Sequence, residues 1–107
     1  MNLLNLTPHT VVIWCDDGSE VVIPPSGAVA QVTTRDVVVG AVYGVPVIRQ
    51  EFGEVTGLPE EGVPCLVSAL VRAAVPGRRW VYSPDTGPSA IRDERGQVVA
   101  VTRLIAA

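Results

Sequence analysis

The sequence predicts a mainly β domain: a small antiparallel β barrel or sandwich with one short α-helix near residues 68–75. Three observations carry that expectation. Hydrophobic residues make up 48% of the chain and valine dominates them; β-branched side chains favour strands because their stiff χ1 suits a pleated surface. Nine Pro and ten Gly punctuate the sequence at short intervals, as tight turns between short strands require. Only one stretch, "ALVRAAV" at 69–75, combines good helix formers. At 107 residues the chain is read as a single domain, 1–107, with one core.

The elements follow in order. "TVVIW" at 10–14 reads as a strand, "CDDGSE" as a turn in which Gly18 supplies backbone freedom, and "VVIPPSG" as the return strand, stopped by Pro24 and Pro25. "AVAQVTT" at 28–34 alternates apolar and polar residues, the period of a half-buried strand. "DVVVGAVYGVPVIRQEFGEV" holds one or two further strands, interrupted by Gly40, Gly44 and Pro46. "TGLPEEGVP" is a loop by composition. "CLVS" starts like a strand, and Ser68 can cap the helix that follows by accepting a backbone N–H. "PGRR" ends the helix, "WVYSP" is a strand and "DTGPS" a turn. "AIRD" and "QVVAVTRLI" form a terminal hairpin around "DERG". Consecutive strands at short spacing argue against a parallel βαβ sheet.

Composition excludes several classes. The net charge is −3 and all eight basic residues are Arg, so the surface that general nucleic-acid binding needs is missing. Cys15 and Cys65 are the only cysteines and are far apart; reduced, buried thiols are expected, and no zinc site with a single histidine. No metal or cofactor is expected. "MNLLNLTPHT" has neither a basic segment nor a long apolar run, so a cytoplasmic protein without a membrane anchor follows.

Several residues carry candidate chemistry. "PDTGPS" contains the Asp-Thr-Gly triplet of aspartic proteases, but only 20 residues follow Gly87, too few for a flap and a supporting strand. A turn explains it better, because Asp bonds its own following backbone and Gly tolerates positive φ. His9, the sole histidine, belongs to a residue type that donates, accepts or stacks. Glu51, Glu54, Glu60 and Glu61 offer paired carboxylates, yet loop glutamates in so small a domain are solvated rather than catalytic. Cross-strand ion pairs are expected of Arg92, Arg95 and Arg103 with Asp93 and Glu94. Alternatively Arg92 joins the turn N–H groups around Thr86 and Gly87 to hold an anion. Arg78 and Arg79 precede Trp80 and can stack on a base.

"LNLTPHTVVI", "IPPSGAVAQV", "FGEVTGLPEEG", "LVSALVRAA" and "PDTGPSAIRDERGQVVAVTRL" together resemble a family of small uncharacterised proteins of actinobacteria and bacteriophages, over nearly the whole chain. An aromatic residue tends to precede "VSALV" in that pattern; Cys65 and Leu66 stand there instead. The resemblance implies a mobile-element protein acting in the host cytosol, and no activity. The leading expectation is a non-enzymatic binding protein, a homo-oligomer, holding a small anionic, nucleotide-like ligand between loops 7–9, 54–58 and 85–92. Arg92 would meet the anion, Thr86 and Asp85 would bond polar edges, His9 would donate or stack, and Arg49 would contribute less. The alternatives are an interaction protein, pairing through exposed strand edges with another protein or copy, and a small hydrolase using His9 with a carboxylate.

Overall fold

A computed structural model describes residues 3–107 and has the expected character, mainly β with one short helix. In chain order the elements are β1 (Leu4–Asn5), β2 (Val11–Trp14), β3 (Glu20–Ile23), β4 (Gln31–Val42), β5 (Val45–Thr56), β6 (Cys65–Leu66), α1 (Ala69–Ala74), β7 (Val81–Pro84), β8 (Ile91–Arg92), β9 (Val98–Ala100) and β10 (Leu104–Ala106). A four-stranded sheet in the order β1-β6-β7-β10 forms the centre, and β2-β3, β4-β5 and β8-β9 are hairpins around it. The sheets do not close into a barrel, so sandwich-like layering is the architecture that fits.

The centre departs from the antiparallel expectation. β1 pairs with β6, and β6 with β7, in parallel; only β10 runs antiparallel, on β7. The 14 residues between Leu66 and Val81 suffice for a crossover, and α1 fills it. Strand spacing alone misses this small βαβ unit because its strands are only two and four residues long. The segment "QVVAVTRLI" also splits: β9 pairs with β8, and β10 leaves to pair with β7.

The middle of the central sheet is buried on both faces, with Cys65, Leu66 and Val81 inside, while β10 at its edge is partly exposed. Leu6, Cys65, Val67, Val71 and Val81 pack on the α1 side with Ala30. Leu66 points the other way, as alternation along a strand demands, and meets Val11 and Val101 from the flanking hairpins. A bridge between Ile13 and Val101 ties those hairpins together. Ser68 caps α1, its Oγ accepting from the Val71 N–H at 3.2 Å. Among the described residues, no helix is long and apolar enough to cross a membrane.

The β4-β5 hairpin is an arm rather than a layer. Its strands are 12 residues each, about 40 Å at ~3.3 Å per residue, and Gly40 and Pro46 lie inside the ladder. Tyr43 and Gly44 form its two-residue turn with φ of 50° and 75°, the paired positive values of a type I′ turn, whose twist matches the strands. Only the root is held: Val32 and Val55 pack against the buried cluster beside α1. The arm stretches the molecule to 52 × 38 × 23 Å with a radius of gyration of 16.3 Å, against about 13 Å for a compact domain of this length.

Candidate functional site

A cleft of about 550 Å³ opens where residues 7–12, the start of α1, the turn after β7 and residues 98–101 converge. Its walls are mostly apolar: Pro8, Val11, Val12, Val67, Pro84 and Val99 are among them. Thr7, His9, Thr10, Ser68 and Thr86 are its polar lining residues. Among the described residues, no Arg, Asp or Glu lines it.

Two of the predicted contacts therefore meet. His9 and Thr86, distant in sequence, share this cleft. The loops expected to share a site do so in part, since residues 7–9 and Thr86 line it while none of residues 54–58 does.

His9 is held there by Asn5, which sequence reasoning passed over. Asn5 is buried and its amide is fully used. Nδ2 donates to the His9 carbonyl at 2.8 Å and the Ile23 carbonyl at 3.0 Å. Oδ1 accepts from the Thr7 N–H at 3.0 Å and from Thr7 Oγ1 at 2.7 Å. The signal was present: Asn followed two residues later by Thr, just before Pro, is a side-chain-to-backbone turn in the making.

Asp85 borders the cleft but is committed elsewhere. Oδ1 accepts from the Gly87 N–H at 3.0 Å. Oδ2 accepts from Ser89 Oγ at 3.2 Å and from Arg103 Nε and Nη2 at 3.0 and 2.7 Å. The Gly87 N–H, then Arg103, hold this carboxyl below its ordinary range. The Asp-Thr-Gly triplet is thus a turn, braced from the strand entering β10.

Arg92 is also engaged within the chain, through two of its five donors. Nη1 donates to the Gly96 carbonyl and Nη2 to the Thr86 carbonyl, both at 2.7 Å. It fastens the β8-β9 loop to the turn that carries Thr86. Asp93 closes its own loop, accepting from the Arg95 and Gln97 N–H groups at 2.9 and 3.0 Å. The ion pairs expected inside the terminal hairpin are not formed among the described residues; Arg103 reaches Asp85 instead. Arg49 sits on the arm opposite Val37, apart from the cleft lining.

The remaining candidates do not gather into a second centre. Glu51 pairs with Arg35 across the arm at 3.2 Å, while Glu54, Glu60 and Glu61 are exposed. Arg78 donates to the Pro59 carbonyl at 2.5 Å. It lines a shallower recess of about 380 Å³ with Arg79, Trp80 and Tyr82. Trp80 adopts a φ of 68°, uncommon for a bulky residue, and its carbonyl accepts from the Cys65 N–H at 2.8 Å. Cys15 and Cys65 are both free, and burial pushes the Cys65 thiol up against the pull of Arg78. Among the described residues, no group of three or more His, Cys, Asp and Glu is arranged to hold a metal. No protein-family model, curated protein or solved structure matches the chain.

Proposed function

We propose that the chain is a non-enzymatic binding protein that takes a small molecule into the cleft between residues 7–12, the start of α1 and the turn bearing Thr86. One observation carries this reading: two predicted contact residues, His9 and Thr86, come from opposite ends of the sequence to a single concave site. Its volume, about 550 Å³, lies within the few hundred to ~1,000 Å³ of ligand clefts, and a mostly apolar wall with a few polar points is their usual make-up.

The wall chemistry selects the ligand class. A planar heterocycle, the base-like part of a nucleotide-like molecule, suits apolar walls and the Ser68, Thr10 and Thr86 hydroxyls. An anionic portion would lie beside His9, a lining residue whose ring can donate a hydrogen bond. Arg92 supports the site indirectly, through the Thr86 carbonyl. No lining carboxylate stands near His9 to complete an acid–base pair, which favours binding over hydrolysis. The same reading takes the protein as a cytosolic, mobile-element product of the kind its sequence resemblance implies.

The test is native mass spectrometry of protein purified from a bacterial host, then denaturing mass spectrometry of whatever it releases. A stoichiometric small molecule is expected, and Ala69→Phe, at an exposed wall position, should fill the cleft and abolish it in a folded protein. An empty wild-type protein that no heterocycle in a nucleoside and nucleotide panel stabilises against heat defeats the proposal.

A further inference from the structure

We infer that the β4-β5 arm is a self-association element whose partner is the arm of a second copy of this chain. The first ground is chemical. Residues 37–48, "VVVGAVYGVPVI", carry no charged side chain. The ladder pairs Val42 with Val45, Gly40 with Val47 and Val38 with Ile48. Side chains alternate across a strand, so Val45 and Val47 point to one face and Ile48 to the other. Both faces of the distal arm are therefore apolar. A hairpin folded against its own domain has one polar face; this ribbon has none.

The second ground is exposure. Val38, Val42, Val45 and Ile48 are 67%, 57%, 62% and 47% exposed, and Tyr43 is fully exposed. Contiguous apolar surface on this scale marks an interaction site. A two-stranded ribbon is itself marginal in water and needs a further strand or layer. Among the described residues, both outer edges of the distal arm also lack a neighbouring strand, leaving rows of backbone groups open to pairing.

The third ground selects a second copy as the occupant. A two-fold interface requires a self-complementary patch, and an uncharged ribbon is complementary to itself. Arg35, Asp36, Arg49 and Glu51 flank it, two of each sign, so two such belts approach without net repulsion. Two arms crossing along their ~40 Å length, each a ribbon ~10 Å wide, lay a footprint of about 400 Å² on one another, the scale of a concentration-dependent association.

The experiment is sedimentation equilibrium on the full chain from micromolar to near-millimolar concentration, beside the double variant Val42→Lys with Val45→Glu. These residues face each other across the ladder, so the introduced pair supports the hairpin while placing charge in the interface. The wild type should run as a dimer or a higher multiple of 11.3 kDa. The variant should show at least a hundredfold higher dissociation constant with an unchanged far-ultraviolet circular dichroism spectrum. Hydrogen exchange should find the amides of residues 37–48 protected in the wild type and fast in the variant. A wild type that stays monomeric overturns the inference, as does an oligomer that the charged arm leaves intact. A monomer that floats with phosphatidylglycerol–phosphatidylcholine vesicles overturns it in favour of a membrane-inserting tip. These readouts do not involve the cleft, so failure here and failure of the ligand proposal are separable.

Discussion

Asn5 gives the most direct test of how the cleft is built. It is 1% exposed and makes four hydrogen bonds, two to carbonyls of other segments and two to Thr7. Asn5→Ala removes all four and leaves buried groups without their partner. The His9 carbonyl is only partly deprived, because Thr7 Oγ1 still reaches it at 3.1 Å. At about 1 kcal/mol net per bond, discounted for that survivor, the loss is about 3 kcal/mol. That is a large share of the 5–15 kcal/mol typical of a domain, and lowers the melting temperature by roughly 12 °C or more. Urea unfolding followed by circular dichroism reads it as a lower midpoint at constant slope. Asn5→Asp sharpens the test. The carboxyl keeps acceptors for Thr7 but turns an oxygen towards the His9 and Ile23 carbonyls, so burial raises its folded pKa. Its stability is then present at low pH and lost as pH rises, opposite to the carboxylate behaviour of the wild type. A loss below about 1 kcal/mol for Asn5→Ala, or an Asn5→Asp variant that does not recover in acid, refutes the assignment of Asn5 as the organiser of the His9 loop.

Two further predictions concern the frame around the cleft and arm. Gly57 has a φ of +87°, and an added Cβ would lie 2.7 Å from the Val29 carbonyl oxygen. Gly57→Ala at the arm root should therefore cost about 1–3 kcal/mol in thermal or urea unfolding. Gly40→Ala, with open space around it, should cost nothing measurable in the same assay; equal effects would refute the close-approach argument. Asp85 has a folded pKa depressed by the Gly87 N–H and Arg103, so its contribution is present above the unfolded value, about 3.9, and is lost as pH falls through the lower folded value. The melting temperature of the wild type should fall on acidification below pH ~4, and that of Asp85→Asn less steeply. Asp17, also depressed, chiefly by the Ser19 hydroxyl, keeps part of the slope. Parallel curves for wild type and Asp85→Asn would remove Asp85 from the account.

Local rules made the β2-β3 hairpin, the helix and its cap legible, because each is specified within a few residues. Gly18 and Ser68 announce their roles through conformational freedom and capping geometry, and both act as read. The parallel centre was not legible. β1 and β6 are two residues each, too short for any periodicity, and their pairing joins Leu4 to Cys65. The arm was obscured by a correct local rule applied without context. Gly40 and Pro46 weaken a strand that must satisfy two neighbours, but a two-stranded ribbon leaves outer edges where a missing N–H costs nothing.

The site shows the same division between local and non-local information. That Asp85, Thr86 and Gly87 make a turn could be read from the triplet, since the Asp carboxylate and the Gly87 N–H are neighbours in sequence. The use of Arg92 could not be read. A guanidinium has five donors, and an arginine beside a turn fits an anion as well as it fits carbonyls. The chain engages Nη1 and Nη2 with the Gly96 and Thr86 carbonyls, both at 2.7 Å, two of those five donors on an exposed side chain. Arg103 is diverted in the same way, to Asp85. Arg92, which sequence offers as a ligand contact, and Arg103, which it offers as an ion-pair partner, thus both fix the turn carrying Thr86, and among the described residues no Arg, Asp or Glu lines the cleft beside it. Local sequence specifies which residues can bind; competition from the folded backbone decides which remain free to do so.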